Sequence, residues 1–371
     1  MPSLKCRLLT RLVLITIAAL ASPRFPAAAQ TPGPAPMTVP HRALPPLPEP
    51  QNVPHPGPTN DAPYAPQAIL PGGVVLPLYA PDSPLLNPAR VREAEIYSLN
   101  RSVPGRIDYI VNIHNPSIEV HPAEPGHNTG TAIILAAGGG HQTLNVGPEA
   151  VTPAAFFANY GITSVILRNR LRKDGYSVPK DAVNDALQAI RLVRAHAADW
   201  HIDPNKIGIM GFSAGAELAA AAGLQYPAFD AQNTQPGDPL TGVTARPDFV
   251  GLVYPGPTPF SLNTNGPTEV PRDMPPSFLV CAGSGDRVHA AWADAYFAGM
   301  LKQSVPNLEM HMYGRGGHGG GFSDRNDTPF GTWQFRFIDW FRDLGFLNKP
   351  GVPTQAALDV QTYVNQPAKP K

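Results

Sequence analysis

The sequence predicts an α/β fold in which a doubly wound, mostly parallel sheet carries helices on both faces. One observation is that short apolar runs alternate with longer segments whose apolar residues recur at helical spacing. Another is that most of the short runs are apolar throughout, as expected of strands buried on both faces of a parallel sheet. The chain has 371 residues, enough for one such domain with extensions at both ends.

The alternation can be followed element by element. The predicted strands are 107–113, 117–121, 131–136, 164–167, 206–210, 249–254, 277–282 and 308–313. The predicted helices are 153–159, 181–200, 214–224, 289–303 and 331–344. The first two strands are expected to form an antiparallel pair that opens the sheet, and the remaining strands are expected to be parallel.

Composition divides the chain into four segments. Residues 1–29 are expected to be a cleaved signal peptide and 30–73 a proline-rich, disordered linker, because the latter has no apolar periodicity that could bury a face. Residues 74–348 are expected to form the folded domain. Residues 349–371 return to proline and polar residues and are expected to be a disordered tail.

The signal peptide is predicted from a basic start, an apolar run at 12–21 and small residues at 27–29. An uncleaved membrane anchor is the alternative, but a spanning helix needs about twenty apolar residues, more than this run contains. The sequence therefore predicts a secreted or periplasmic protein with no membrane span after the signal is removed.

Charge and cysteine usage exclude several classes of function. The chain has 28 basic residues (lysine plus arginine) and 28 acidic residues (aspartate plus glutamate). It therefore has no net positive charge that would favour nucleic acid or an anionic membrane as a partner. Removal of Cys6 with the signal leaves Cys281 alone, which excludes an intramolecular disulfide and indicates a buried, inert thiol. The sequence contains no zinc-type H-E-x-x-H pattern and no P-loop, so neither a metal nor a cofactor is expected.

A candidate nucleophile lies in the segment Gly211-Phe212-Ser213-Ala214-Gly215. A predicted strand precedes this turn and a predicted helix follows it, which is the context that a G-x-S-x-G nucleophile elbow requires. Glycine is needed on either side because the strained turn leaves no room for side chains. We therefore expect Ser213 to be a catalytic nucleophile.

A serine hydroxyl becomes a good nucleophile only when a base removes its proton. The base in turn needs a neighbouring acid that fixes which of its ring nitrogens carries the proton. Asp286 and His318 each follow a predicted strand, in the chain order serine, acid, histidine. Among the histidines after Ser213, His289 follows the acid too closely to be its partner easily, and His311 lies inside a strand. We therefore expect Asp286 and His318 to complete a triad.

Three other aspartates are less suitable as the acid of the triad. Asp294 lies within a predicted helix, and Asp324 and Asp327 follow the histidine. Asp286 is therefore the preferred acid.

Acyl transfer also needs donors for a developing oxyanion. One is expected to be the backbone N–H of Ala214, the residue after the nucleophile. The others are expected from Gly139 and Gly140, in the glycine-rich loop that follows the strand 131–136.

These residues resemble the acetyl xylan esterase and small carbohydrate esterase branch (BD-FAE-like) of the α/β-hydrolases. The resemblance runs from about residue 76 to 346, and its carriers are 136–141, 181–186, 203–208, 211–215 and 316–319. It implies an α/β-hydrolase catalytic domain that acts on acetylated or feruloylated sugars and on small esters, without a cofactor.

The sequence departs from this branch at two positions. The loop often ends in glycine-tyrosine, whereas here Gly140 precedes His141, and the elbow is often followed by glycine-histidine, whereas here Ala216 precedes Glu217. We assign His141 and Glu217 to substrate binding, so both departures concern substrate preference more than hydrolysis.

Three functions follow from these observations. The leading one is a secreted serine esterase that deacylates acetylated or feruloylated carbohydrate or small esters. A serine peptidase of the prolyl-oligopeptidase type shares the triad, but usually carries a propeller domain for which too few residues precede the folded domain. A non-catalytic binding protein on the same scaffold is the third.

Four aromatic residues are candidates for stacking on a sugar, and they are equally candidates for the core: Tyr254, Phe260, Trp292 and Phe322.

Overall fold

The strands form one large sheet and a separate ribbon. The computed structural model describes residues 47–49, 62–103, 105–234, 238–262, 268–322 and 328–367. The strands are β1 (Val74–Pro77), β2 (Ile96–Leu99), β3 (Ile107–Val111), β4 (Ser117–His121), β5 (Ala132–Ala136), β6 (Thr163–Arg168), β7 (Ile207–Phe212), β8 (Val250–Val253), β9 (Ser277–Ala282) and β10 (Glu309–Tyr313).

Eight of these strands form the main sheet, in the order β1-β4-β6-β5-β7-β8-β9-β10. From β6 to β10 every neighbouring pair is parallel, while β4 pairs antiparallel with both β1 and β6. Strands β5, β6, β7, β8 and β9 are buried along their whole length, which agrees with their apolar sequences. The predicted fold class is confirmed.

The expected antiparallel pair 107–113 with 117–121 is wrong. β3 pairs with β2 in a two-stranded ribbon, and β4 joins the main sheet beside β1. Asn112 has a φ of +61°, which ends β3 before β4 begins, and its side-chain amide donates to Ala94 O. Neither β1 nor β2 is predicted from the sequence, because β1 is short and ends at a proline and β2 is largely exposed.

Helices lie between the strands and after them. They are α1 (Thr152–Ala158), α2 (Val183–Ala195), α3 (Ala214–Gln232), α4 (Arg287–Lys302), α5 (Trp333–Asp343) and α6 (Gln355–Asn365). The first five correspond to the predicted helices with shifted ends, and α3 continues well past residue 224. No helix among the described residues is both long enough and apolar enough to cross a bilayer.

The predicted linker and tail both contain ordered structure. Residues 62–73 belong to the folded part, since Ala68 and Ile69 are buried and the N–H groups of Ile69 and Leu70 donate to the buried carboxylate of Glu119. The tail 349–371 contains α6, whose first turn is capped by Thr354 accepting from Ala357 N–H. The disorder expected for these two stretches is therefore wrong for 62–73 and for α6, while residues 30–46, 50–61 and 368–371 and the signal peptide at 1–29 lie outside the described residues.

The disordered tail was predicted from its proline and polar residues, and the buried residues of α6 explain why this prediction failed. Ala356 and Val360 are buried on one face of α6, although the segment as a whole is polar. The Tyr363 hydroxyl donates to Gln303 O, and Asn307 donates to the Asp359 carboxylate. These contacts with the residues that follow α4 hold the helix against the domain, and no local pattern of the sequence indicates them.

Candidate active site

Ser213 occupies a strained turn between β7 and α3. Its φ of +51° and ψ of −119° are unfavourable for a residue with a side chain. A Cβ atom on Gly211 would lie 2.2 Å from Gly215 O, and one on Gly215 would lie 2.0 Å from Ala136 O. Glycine is therefore required at both positions for the turn to form, and the turn presents the Ser213 hydroxyl at the carboxyl end of the sheet.

The structure brings the three predicted triad residues together. Ser213 Oγ lies 2.9 Å from His318 Nε2, and His318 Nδ1 lies 2.7 Å from Asp286 Oδ2. Asp286 follows β9 at the start of α4, and His318 follows β10, so adjacent parallel strands deliver both side chains to the same edge of the sheet. A neutral His318 that donates from Nδ1 to the carboxylate leaves Nε2 free to accept from Ser213.

His289 also contacts the acid, contrary to the sequence-based expectation. Its Nδ1 lies 2.6 Å from Asp286 Oδ1, and its ring stacks on that of His318 with the centroids 3.8 Å apart. The two residues are three positions apart along the first turn of α4, where helical geometry makes them neighbours. Burial lowers the pKa of His289, and the hydrogen bond to Asp286 only partly offsets this effect.

The remaining candidates for acid and base lie elsewhere or outside the described residues. His311 is within β10, where it pairs with Glu309 at 2.6 Å. Asp294 is exposed on α4. Asp324 and Asp327 lie outside the described residues.

The glycine-rich loop after β5 lies directly against the nucleophile. A Cβ atom on Gly138 would be 2.8 Å from Ser213 Cβ, and one on Gly139 would be 2.2 Å from Thr143 O. Gly139 and Gly140 have φ values of +123° and +62°, which favour glycine. Within the described part of the chain, the N–H groups of Gly139, Gly140 and Ala214 donate to no protein acceptor, so they are available to a ligand.

A buried carboxylate that the sequence analysis missed supports this loop. Glu149, only 2% exposed, accepts from Gly138 N–H at 2.7 Å and from the Tyr254 hydroxyl at 2.8 Å. The Tyr254 oxygen accepts in turn from Gly321 N–H at 2.8 Å, and its ring meets that of His318 edge to face. Glu149 thus connects the glycine-rich loop with the loop that carries His318. It stands in no recognisable motif, so sequence reasoning had no signal for it.

Burial raises the pKa of Glu149, although its two hydrogen bonds oppose this effect. Replacing Glu149 by alanine leaves the buried Gly138 N–H without its acceptor and removes the bond from Tyr254. We expect the free energy of unfolding to fall by about 2–4 kcal/mol, since a buried orphaned donor costs roughly 1–3 kcal/mol and a lost bond to a charged group a similar amount. Urea unfolding followed by fluorescence measures this change.

The matched control is Glu124→Ala, which removes an exposed carboxylate and should change the unfolding free energy by no more than about 0.5 kcal/mol. Equal stability of Glu149→Ala and Glu124→Ala would contradict the supporting role assigned to Glu149.

The two residues expected to bind substrate lie beside each other next to the elbow. His141 Nε2 is 3.2 Å from Glu217 Oε2, and His141 has a φ of +58°. A Cβ atom on Gly256 would lie 2.1 Å from Glu217 Oε1, so a glycine there makes room for the carboxylate. Of the candidate sugar-stacking residues, Tyr254 and Phe322 are buried in the core, which leaves Phe260 and Trp292 partly accessible.

Comparison with known sequences agrees with this architecture. Residues 120–251 match the BD-FAE family model. An acetylxylan esterase of Xylanibacter ruminicola is 31% identical over 131 residues, which are 35% of this chain and 24% of that protein. The endo-1,4-beta-xylanase B of Butyrivibrio fibrisolvens is 25% identical over 222 residues, 54% of this chain and 34% of that protein. The chain thus spans about a quarter to a third of the length of these curated relatives.

Solved structures show the same fold. The acetyl ester-xyloside bifunctional hydrolase from Caldicellulosiruptor lactoaceticus superposes with a TM-score of 0.58 at 26% identity, covering 73% of this chain and 96% of that one. The carboxylesterase Cest-2923 from Lactobacillus plantarum has a TM-score of 0.53 at 18% identity, covering 68% and 98%, and supports the fold alone. The chain therefore has the α/β-hydrolase fold, is similar over about a third of its length to an acetylxylan esterase, and carries a segment at 120–251 that matches the BD-FAE family model.

Proposed function

We propose that this protein is a serine esterase that hydrolyses carboxylic esters through Ser213, His318 and Asp286. The observation that carries the proposal is the unbroken series of hydrogen bonds from Ser213 Oγ through His318 to Asp286. Ser213 lies directly before the first residue of α3. A hydroxyl, an imidazole and a carboxylate in this order are what nucleophilic acyl transfer requires. Relatedness to an acetylxylan esterase supports the same chemistry.

In the proposed mechanism, Ser213 Oγ attacks the ester carbonyl carbon while His318 Nε2 takes the hydroxyl proton. The resulting imidazolium is stabilised by Asp286, which accepts from Nδ1. His318 then gives the proton to the leaving alcohol, and an acyl-enzyme remains on Ser213. Water activated by the same imidazole releases the acid in a second, equivalent sequence of steps.

We propose that backbone N–H groups stabilise the negative charge that develops on the carbonyl oxygen of the tetrahedral intermediate. Gly139, Gly140 and Ala214 supply N–H groups that have no protein acceptor among the described residues and belong to the two segments that meet at Ser213. The amino-terminal end of α3 adds a partial positive charge at the same place. Each donor of this kind contributes roughly 3–4 kcal/mol to the stability of a transition state.

We propose acetylated or feruloylated carbohydrate, or small esters, as the substrate class. His141 and Glu217 support this assignment, because they place an imidazole and a carboxylate beside the nucleophile where they can bond to the hydroxyl groups of a sugar. A polymeric substrate does not enter cells, so we further propose that residues 1–29 direct the protein to the periplasm or the exterior.

The function is tested by mixing the purified protein with p-nitrophenyl acetate and following p-nitrophenol. We expect a burst equal to one equivalent of enzyme if deacylation is the slower step, and steady turnover in any case. Acetylated xylan, a feruloylated sugar and simple aliphatic esters are then compared by kcat/KM, with the acetylated sugar expected to be the best. Proline-containing amides are the control, and turnover of these amides as fast as of the esters would favour a peptidase instead.

A further inference from the structure

Asp286 is shared by two histidines that approach it from the same side. His289 Nδ1 bonds to one carboxylate oxygen and His318 Nδ1 to the other, at 2.6 and 2.7 Å. The two imidazole rings are nearly parallel, 24° apart, and stacked. One ligand atom from each of the three residues lies within 4.8 Å of the other two, and this is the single group of three such side chains within the described ranges.

We propose that Asp286, His289 and His318 form a binding site for a divalent transition-metal ion such as Zn²⁺, and that the bound ion inhibits the enzyme. Two imidazole nitrogens and one carboxylate oxygen are ligands that zinc favours, and zinc accepts three protein ligands with water in the fourth position. Both Nδ1 atoms already point at one carboxylate, so the three ligand atoms converge on one place.

Access to the cluster is open. The side chains of His289 and His318 are 22% and 36% exposed, so an ion and its remaining water can approach from solvent, while the Asp286 carboxylate below them is nearly buried. In the metal-bound form, metal–nitrogen bonds of about 2.0–2.1 Å would replace the two N–H···O bonds.

Inhibition follows from the tautomer of His318 and rests on the function proposed above. When Nδ1 donates its lone pair to the metal, the ring proton moves to Nε2, and no proton is lost or gained by the ring. Nε2–H then faces Ser213 Oγ and cannot accept the hydroxyl proton. Metal binding and nucleophile activation therefore exclude each other, whereas the binding itself does not depend on catalysis.

Other histidines of the described chain offer poorer sites. Those that pair with a carboxylate pair with only one, so each such pair supplies two ligands: His114 with Glu93, His121 with Glu119, His141 with Glu217, His196 with Asp199, and His311 with Glu309. The cluster at Asp286 supplies three ligands, and zinc should occupy it first.

The test is a zinc titration of the metal-free protein against a chromophoric zinc indicator. We expect one tight site per chain. His289→Gln should weaken that site by at least about 100-fold, because loss of a residue that merely supports a ligand already costs roughly 10–100-fold. The matched control His311→Gln removes a histidine from a two-ligand pair and should bind zinc as the unaltered protein does.

Two further variants keep the outcome decisive. His289→Phe retains an aromatic ring stacked on His318 but offers no ligand, so it should lose the site even if the glutamine variant is unstable; circular dichroism verifies both folds. Ser213→Ala should bind zinc normally, which separates metal binding from esterase activity. Zinc should also abolish ester hydrolysis by the unaltered protein, and EDTA should restore it. Zinc affinity in His289→Gln and His289→Phe equal to that of His311→Gln would overturn the proposal.

Discussion

Replacement of Ser213 by alanine is expected to lower kcat for ester hydrolysis by about 10⁶-fold, the magnitude seen when a triad nucleophile is removed. Without the hydroxyl, His318 has no group to deprotonate and no acyl-enzyme can form. What activity remains comes from substrate binding and from the backbone donors of the glycine-rich loop, which act without the nucleophile. Any burst of p-nitrophenol should be absent, and the steady-state rate should fall to this residual level.

Ser102→Ala is the matched control for this prediction. Ser102 is exposed in the turn between β2 and β3, and its loss should leave both the burst and kcat unchanged. Circular dichroism and thermal unfolding should show that both variants are folded. A kcat in Ser213→Ala equal to that in Ser102→Ala would show that the nucleophile is another residue.

The second large effect is expected for Asp286→Asn, which should lower kcat by about 10⁴-fold. An asparagine amide can donate to His318 Nδ1, and the ring then carries its proton on Nε2, where it cannot accept from Ser213. The effect is reinforced by His289, because the two histidines bond to different carboxylate oxygens and asparagine replaces one of these acceptors with an NH₂ donor.

Asp294→Asn is the control for this variant, since it changes an exposed aspartate on the same helix, α4, and should retain the unaltered kcat. The double variant Ser213→Ala, Asp286→Asn tests whether the two residues act as one unit. Its kcat should equal that of Ser213→Ala alone, because triad effects are strongly non-additive. A further fall in the double variant, or a normal rate in Asp286→Asn, would assign the acid to another residue.

Prediction from the sequence succeeded where short-range chemistry decides the structure. The turn around Ser213 needs glycine at Gly211 and Gly215 because a Cβ atom would overlap the backbone at both positions, and this requirement is visible in the sequence. The buried parallel strands were recognised because burial on both faces demands uninterrupted apolar residues. The order of acid and histidine after their strands indicated residues that the fold places within hydrogen-bonding distance.

Prediction failed where contacts between distant segments decide the structure. β3 and β4 were expected to pair with each other because β1 and β2, their actual partners, were not predicted. The sequences of β1 and β2 are too short to indicate a strand when the neighbouring strand is not known. Helix α6 is held by contacts with residues some 50 to 60 positions earlier in the chain, such as Tyr363 with Gln303, so its polar sequence suggested disorder.

The sequence by itself determined the α/β fold class, the elbow at Ser213 and the candidate roles of Asp286 and His318, because glycine requirements, apolar runs and chain order are local properties. Only the tertiary structure decided which additional groups surround them. It joined His289 to the far oxygen of Asp286 and buried Glu149 beneath the glycine-rich loop, because both contacts depend on how helices and loops pack at the edge of the sheet.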